Sequence, residues 1–250
     1  MYNLKFEEND DVIFTSYFSS KNNPQPNADG IFSAVPSNNI SYVFPWYATI
    51  CHLNLNGVII HDGLSEAFIS QYSRENIQFI YHPVNKYSLN DERFIALKNI
   101  LERNTLRKAL LTDGSDLIIK RNPFEFMNNA GTLYCGSDEL TKPRVRDNPW
   151  CVNKLIKFME NSTPEIVVSE SFLNFEYVNA GVVGGSFNII KNVCTVLTNI
   201  FDILNSEDNN NMIALNYLLW KYDVPHFKGL PFTSPFKKFE LYGDYYIVHK

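Results

Sequence analysis

The chain has 250 residues, 45% of them hydrophobic and 20% charged, which is the balance of a globular domain with enough apolar material for a sizeable core. Its formal net charge of -5 argues against a nucleic-acid-binding protein, because such proteins usually carry a basic surface. We therefore expect no nucleic-acid partner, and a single domain spanning residues 1–250.

The cysteine spacing and the composition of the N-terminal segment indicate the cellular compartment of the protein. Cys51, Cys135, Cys151 and Cys194 form no CxxC pair and lack the spacing of a zinc site, so we expect free thiols in a reducing cytoplasm. Residues 1–11 are polar and acidic, unlike a signal peptide, and no apolar run approaches the ~20 residues that span a bilayer. We expect a cytoplasmic protein without a transmembrane segment; peripheral membrane contact through a surface patch stays open.

The first half of the chain alternates predicted strands with predicted helices. Apolar, β-branched runs predict strands, and apolar residues at helical spacing predict helices. In chain order these are a strand at 12–18, a loop at 19–39, a helix at 45–55, a strand at 57–61, a helix at 65–72, a strand at 77–81, a helix at 91–104 capped by Asn90 or Asp91, and strands at 108–112 and 117–120. This alternation predicts βαβ units and an α/β fold of Rossmann-like type, with a mostly parallel central sheet and flanking helices.

The second half is less regular and predicts a smaller C-terminal region of sheet and helix. We expect a strand at 132–135, a helix at 150–159, an apolar run broken by glycines at 177–185, helices at 187–204 and 212–220, and an aromatic strand or hairpin at 240–249 that turns at Gly243 and Asp244. No internal repeat is present.

The most informative stretch is the turn Asp113-Gly114-Ser115-Asp116, which separates two apolar runs after the fourth predicted strand. Ligands of open α/β sheets bind outside the carboxyl ends of the strands, so this turn and the loop after strand 12–18 should open onto one crevice. Paired carboxylates there can hold a hard divalent cation together with phosphates. The alternative is a plain surface turn, since Asp-Gly is a common turn pair.

Two later features follow in a consistent order. The segment Val178-Asn179-Ala180-Gly181 leads into Gly184-Gly185, and the chain ends in Ile247-Val248-His249-Lys250. Together with the aspartate turn, these motifs resemble the GT-A-fold glycosyltransferases, in the group of glycogenin-like and lipooligosaccharide galactosyltransferase-like enzymes. The likeness runs from about residue 13 to residue 250, and it is greatest to small bacterial and large-virus enzymes that build surface glycans.

The resemblance implies a metal site and a donor substrate. Asp113, Asp116 and His249 would ligate Mn2+ or Mg2+, and an imidazole among oxygen ligands favours Mn2+. The family motif has one residue between its aspartates and this chain has two, so either both carboxylates or only Asp116 would touch the metal directly. The cation would neutralise the diphosphate of a UDP-sugar donor. Gly114, Ser115 and Lys250 would lie beside that diphosphate.

Other residues are assigned to the nucleotide and the sugar. In the family, the segment with Asn179 and Gly181 lines the donor-sugar pocket, although a glycine-kinked core strand would have the same pattern. A strand-end trio of Thr15, Ser16 and Tyr17 could bond and stack a nucleoside, or its hydroxyls could be satisfied inside the sheet. Arg93 resembles a family basic residue that reaches the diphosphate; the alternative is an exposed helical arginine paired with a carboxylate.

Catalytic groups are chosen by residue type. Asp138 and Glu139 follow a predicted strand end and are the first candidates for a general base, with Asn179 near the sugar or acceptor and Glu170 and Glu176 as further carboxylates. Related enzymes often carry an aspartate near the start of the late helix, where this chain has Asn211. The amide keeps hydrogen bonding but cannot act as a base or nucleophile.

The sequence as a whole favours a metal-dependent glycosyltransferase that moves a sugar from a UDP-sugar to a glycan or lipid-linked saccharide acceptor in surface-glycan synthesis. Likeness to glycogenin slightly favours a retaining reaction. Residues 1–120 would bind the nucleotide and 121–250 the donor sugar and acceptor. A sugar-nucleotide nucleotidyltransferase would need a glycine-rich phosphate loop after the first strand, where 15–21 has no glycine. A non-catalytic nucleotide- or glycan-binding module stays open, and a glycoside hydrolase, with two facing carboxylates and no metal, is not favoured by the fold.

Overall fold

The computed structural model describes residues 2–22, 34–138, 143–161, 169–235 and 243–249, with side chains of the fourth helix described as far as Leu155. Glu139 and Lys250, both named above, lie outside these ranges. So do parts of the expected loop at 19–39 and of the expected C-terminal strand or hairpin.

Nine strands form one large sheet and one small sheet in the described part of the chain. In chain order they are β1 Asp11–Tyr17, β2 Asn56–His61, β3 Ile77–Tyr81, β4 Lys108–Thr112, β5 Leu117–Ile119, β6 Leu133–Ser137, β7 Val178–Ser186, β8 His226–Lys228 and β9 Ile247–His249. The large sheet has the order β3-β2-β1-β4-β7-β6-β8, and β7 runs against its neighbours. Strands β5 and β9 form a separate antiparallel pair. The α/β class with a Rossmann-like, mostly parallel sheet is therefore confirmed.

Seven α-helices within the described ranges flank the sheets. They are α1 Phe44–His52, α2 Glu66–Tyr72, α3 Leu89–Leu101, α4 Pro149–Asn161, α5 Glu170–Leu173, α6 Phe187–Leu204 and α7 Asn211–Lys221, and short 3-10 turns lie at Ile40–Tyr42, Pro123–Glu125 and Val145–Asp147. Helix α6 packs against both α3 and α7, and these helices contact β1, β4 and β7. Helix α1 packs on β5 and also reaches β4, where the Trp46 indole N–H donates to Thr112 Oγ1 at 3.0 Å.

The start of α3 differs from the expectation and has consequences for the site. Asn90 and Asp91 do not cap this helix; they lie in its first turn, and the Ser88 hydroxyl accepts from Asp91 N at 3.2 Å as the N-cap. Ser88 is extended, with φ -63° and ψ 154°, which is the geometry that lets a serine hydroxyl reach an unpaired helical N–H. The carboxylate of Asp91 is thereby left to bond another part of the chain.

Helix α6 is the one helix in the described part of the chain that is long and apolar enough, by length and composition, to cross a membrane. It is amphipathic in its packing, since seven residues on one side are buried: Ile190, Val193, Cys194, Leu197, Ile200, Phe201 and Leu204. That apolar side packs on α3 and α7, as expected for the core helix of an α/β domain.

Sequence periodicity misses short elements and long-range pairings. Helix α5 has four residues and β8 has three, too few to show a period. The chain near the C-terminus was expected to form a strand or a local hairpin, but the described strand β9 pairs with β5, with Leu117 opposite His249. This pairing carries a histidine from the end of the chain to the aspartate turn.

Candidate functional site

The aspartate turn lies where the order of the sheet reverses. From β1 the chain builds outward to β2 and β3, then crosses back to β4 on the other side of β1. Such a switch point leaves a crevice at the carboxyl ends of the two central strands, where α/β proteins bind ligands. Asp113 directly follows β4, and Phe18 directly follows β1. The expected shared crevice is present.

Three side chains predicted as metal ligands come together at this point. Asp113, Asp116 and His249 each offer one ligand atom, and these atoms lie within 4.8 Å of one another. His249 Nε2 is 3.3 Å from Asp113 Oδ2. Two carboxylates and an imidazole are a donor set that suits Mn2+, and one carboxylate oxygen, Asp116 Oδ1, is buried without a hydrogen-bond partner among the described residues. The residues present therefore fit a divalent cation.

Arg93 holds the first aspartate in place. The arginine is 3% exposed on α3, its Nη1 pairs with Asp113 Oδ1, and its Nη2 donates to the Ala180 carbonyl at 2.7 Å. Burial opposes ionisation of Asp113, but the charges of Arg93 and His249 outweigh it and lower the pKa of that carboxyl to about 2. Asp113 is thus ionised and fixed, and Arg93 is a buried partner of the acidic cluster, whereas the sequence suggested either a diphosphate contact or an exposed pair.

Asp116 is in the opposite electrostatic situation. Burial, followed by the negative charge of Asp113, raises the pKa of Asp116 to about 6. Two ionised carboxylates in one pocket repel each other, and the nearby positive charges offset only part of this repulsion. A bound cation would offset the rest.

His249 is placed by its backbone. Besides the β5 pairing, His249 N donates to Ser234 Oγ at 3.0 Å, and the same hydroxyl donates to the His249 carbonyl at 3.3 Å. The neighbouring Thr233 accepts from Ser137 N at the end of β6 through its hydroxyl, at 3.2 Å. Segment 233–234 therefore ties the late strand to the central sheet. Thr233 and Ser234 belong to no recognisable motif, so the sequence does not predict this role.

Gly181 is the residue that lets the cluster close. A Cβ on this glycine would lie 2.5 Å from Asp113 Oδ2 and 2.8 Å from His249 Nε2, and nearer still to His249 Cε1. The Gly181 carbonyl also accepts from Asp113 N at 2.7 Å. Glycine is needed here because only a bare backbone admits both side chains at this distance.

We expect Gly181→Ala to destabilise the protein by about 1–3 kcal/mol, because the new methyl group must push His249 or Asp113 aside. Urea denaturation measures the loss. Gly63→Ala is the matched control, since a Cβ there would meet only Ser19 Oγ, at 4.0 Å. Equal stabilities of the two variants would contradict this account of Gly181.

Asn179 is a residue of β7 next to the acidic cluster, and its side chain forms a hydrogen bond within β7. Asn179 Oδ1 accepts from Gly181 N at 2.7 Å, and the strand carries a register shift opposite Cys135 and Gly136. The segment is a buried core strand, and its Gly181 lies against the side chains of Asp113 and His249. The donor-sugar role of Asn179 stays a prediction.

A cleft opens beside the aspartate turn. Its walls are Ser16, Phe18, Val35, Tyr42, Leu89, Asn90, Arg93, Asp113, Gly114, Ser115 and Asp116. Burial, followed by the charges of Asp113 and Asp116, raises the pKa of Tyr42 to about 12, so its phenol is a hydrogen-bond donor at neutral pH. The surface of the cleft is therefore mostly polar, with an acidic end at Asp113 and Asp116, and Phe18, Val35 and Leu89 are at most 7% exposed. Sequence reasoning missed Tyr42 and Asn90, which stand in no motif.

The strand-end trio divides between the cleft and the core. Ser16 lines the cleft. Thr15 is fully buried, and its hydroxyl donates to the Thr112 carbonyl at 3.1 Å. The Tyr17 hydroxyl bonds the Pro36 carbonyl and accepts from Asn39 N, which anchors the end of the long loop. Thr15 and Tyr17 are therefore structural in this conformation and offer no surface to a nucleoside.

The structure describes three of the four acidic residues that were considered as catalytic groups. Asp138 follows β6, which is parallel to β4, so it lies at the same edge of the sheet as Asp113; it is 8% exposed, and Asn148 Nδ2 donates to it at 3.4 Å. Glu139 lies outside the described residues. Glu170 pairs with Arg146, and Glu176 with Lys228. A base role for Asp138 stays a prediction.

Asp91 is a fully buried carboxylate that adjoins the cleft residue Asn90. Its carboxylate accepts from Asn210 N, 3.1 Å from both oxygens, and also bonds the Ser88 side chain. Burial is the largest effect and raises the pKa of Asp91 to about 7 despite these hydrogen bonds. The folded state therefore binds a proton between about pH 4 and pH 7 that the unfolded state has released.

The bound proton on Asp91 contributes to the free energy of unfolding, and this contribution is lost as the pH rises from about 4 to about 7. We expect the stability of Asp91→Asn relative to the native chain to increase from pH 4.5 to pH 7.5, by about 1.4 kcal/mol for each pH unit that separates the folded and unfolded pKa values of Asp91. Urea denaturation of both proteins at four pH values measures it. A constant difference would show that Asp91 titrates normally.

Comparison with known protein families and with characterised proteins finds no match to this chain.

Proposed function

We propose that the chain is a metal-dependent glycosyltransferase that transfers a sugar from a UDP-sugar to a glycan or lipid-linked saccharide acceptor, in the manner of the GT-A enzymes it resembles. One observation carries the proposal: the carboxylates of Asp113 and Asp116 and the imidazole of His249 meet within 4.8 Å at the switch point of the sheet, beside a cleft. Each comes from a motif that the resemblance assigned to the metal.

The chemistry of such a reaction matches the charges at the site. A departing nucleoside diphosphate accumulates negative charge, and a divalent cation bound by this cluster supplies the opposite charge. Arg93 keeps Asp113 ionised and oriented towards the cleft. Tyr42 and Ser115 supply hydroxyl groups on the same mostly polar wall, which suit the oxygens of a nucleotide.

The test is a calorimetric titration of UDP into the protein with Mn2+ and again with EDTA. We expect binding only with the metal, and we expect ADP and GDP to bind more weakly. Hydrolysis of UDP-glucose and UDP-galactose would then be screened by release of UDP. Absence of UDP binding in the presence of Mn2+ would overturn the proposal and favour a module that binds glycans without a nucleotide.

A further inference from the structure

A line of polar side chains lies behind one wall of the cleft. The Tyr2 hydroxyl is 2.9 Å from His82 Nδ1, and His82 Nε2 is 3.2 Å from Glu92 Oε2. His82 is 1% exposed and Glu92 is fully buried, whereas Tyr2 is only partly buried. A phenol, an imidazole and a carboxylate thus form a continuous chain of hydrogen bonds that runs from the surface to α3.

The carboxylate of Glu92 organises the segment that leads into α3. Glu92 Oε1 accepts from Asn85 N at 3.0 Å and from Tyr87 N at 3.4 Å. His82 Nε2 is the third nitrogen on this carboxylate, and a buried carboxylate needs such hydrogen bonds because it has lost its water. Residues 82–88, which connect β3 to α3, are therefore held together by Glu92.

The start of α3 is also part of the cleft. Three of its residues line the cleft: Leu89, Asn90 and Arg93. In addition, the His82 ring lies 6.0 Å from the ring of Phe18, which is another wall residue. A displacement of residues 82–88 would therefore disturb the wall of the cleft at two places.

Residues 2–5, which we call the strap, are fastened by two side-chain amides. Asn104 Oδ1 accepts from Leu4 N at 2.9 Å, and Asn104 Nδ2 donates to the Tyr2 carbonyl at 2.6 Å. The side chain of Gln78 on β3 bonds the backbone of two further strap residues in the same way. These bonds hold the strap against the domain with the Tyr2 hydroxyl beside His82.

The hydrogen-bond roles select one tautomer of His82. An ionised carboxylate only accepts hydrogen bonds, so His82 Nε2 must carry a proton to bond Glu92. In a neutral imidazole the other nitrogen, Nδ1, is then an acceptor, and the Tyr2 hydroxyl is its donor. Without this hydroxyl the proton is free to move to Nδ1, and Nε2 would then face the carboxylate with a lone pair. The Tyr2 hydroxyl thereby stabilises the bond between His82 and Glu92.

We propose that the strap positions the wall of the cleft: the Tyr2 hydroxyl fixes the Nε2–H tautomer of His82, and His82 and Glu92 together hold residues 82–88 and the start of α3. These three side chains act through the wall and are positioning residues. The effect on nucleotide affinity rests on the proposed function, whereas the tautomer and the order of residues 82–88 do not.

The test uses Tyr2→Phe, which removes one hydroxyl group. Nitrogen-15 NMR at pH 7.5 should show His82 as the neutral Nε2–H tautomer in the native chain and as a mixture of both tautomers in the variant; His82→Gln assigns the signals. Amide hydrogen exchange of residues 82–88 should be about 3-fold to 10-fold faster in the variant, as expected for the loss of one hydrogen bond. Tyr222→Phe is the matched control, because Tyr222 is 62% exposed, and it should change neither quantity.

A double-mutant cycle separates positioning from simple packing of the Tyr2 ring. In Glu92→Gln the side-chain amide can donate to Nε2 or accept from it, so both tautomers of His82 are tolerated. Tyr2→Phe should therefore accelerate exchange less in the Glu92→Gln background than in the native one. Equal acceleration in both backgrounds would show that the hydroxyl does not act through the tautomer, and would overturn that part of the inference.

Nucleotide affinity is the functional measurement. In a calorimetric titration with Mn2+ present, UDP should bind Tyr2→Phe about 3-fold to 10-fold more weakly than the native chain, and Tyr222→Phe equally well. If Tyr2→Phe binds UDP as tightly as the native chain does, the strap does not position the cleft, while the proposed function survives.

Two further results would overturn the strap itself. One is a native His82 that is an imidazolium or the Nδ1–H tautomer at pH 7.5, and the other is unchanged exchange of residues 82–88 in Tyr2→Phe. Failure of the native chain to bind UDP overturns the proposed function and the effect on affinity. The NMR and exchange measurements then decide whether the strap holds residues 82–88.

Discussion

Asp116→Asn should weaken Mn2+ binding by about 100-fold or more while making the metal-free protein more stable at pH 7.5. Both effects have one cause. Without a cation, the ionised Asp116 lies half-buried beside Asp113, and desolvation together with the charge of Asp113 raises its pKa to about 6. The amide has nearly the same shape, removes the repulsion, and lacks the charge that a hard cation needs from its ligand.

Thermal melts with and without Mn2+, together with a calorimetric Mn2+ titration, measure both effects. Asp223→Asn is the matched control, because Asp223 is exposed beyond the far end of α7. It should change neither quantity. Native Mn2+ affinity should also rise with pH up to about 6 and then level off, as Asp116 ionises. Undiminished Mn2+ binding by Asp116→Asn would show that the cluster is not a metal site.

Arg93→Met should cost about 3 kcal/mol of stability, because it leaves the carboxylate of Asp113 in a largely closed site without its cation. The arginine side chain is 4% exposed and that of Asp113 is 31% exposed, so we expect the lower end of the range for broken buried pairs. Metal-free Asp113 would also lose the first of the charges that lower its pKa, and it should become easier to protonate.

The control uses another arginine–aspartate pair of the same chain. Arg107 pairs with Asp11, but its side chain is 61% exposed, so Arg107→Met should cost less than about 1 kcal/mol. A double variant, Arg93→Met with Asp113→Asn, should recover part of the stability lost in the single variant, since no unpaired charge remains. Equal costs for the two arginines, measured by urea denaturation, would contradict the buried pair.

Arg93 and Thr15 show how far residue type and strand periodicity can predict the role of a residue at the site. Arg93 was selected as a basic residue near the site, and it is near the site. However, its partners are Asp113, which follows β4, and the Ala180 carbonyl on β7, and contacts between such distant segments leave no signal in the sequence. Thr15 was selected from the correct strand end, but β1 is covered on both faces along most of its length, and Thr15 is fully buried.

The central strands, the main helices and the α/β class can be predicted from the amino-acid sequence alone, because these elements are long enough for their apolar periods to be recognised locally. The sequence also selected Asp113, Asp116 and His249 as one set. Their meeting within 4.8 Å depends on β9 pairing with β5 and on the bare backbone at Gly181. Three further features arise only when the chain folds: the pairing of Arg93 with Asp113, the hydrogen bonds from Asn210 N to the Asp91 carboxylate, and the amides of Asn209 and Asn211 that lack partners among the described residues. Each depends on atoms from distant segments, whose distances and burial leave no periodic signal in the chain.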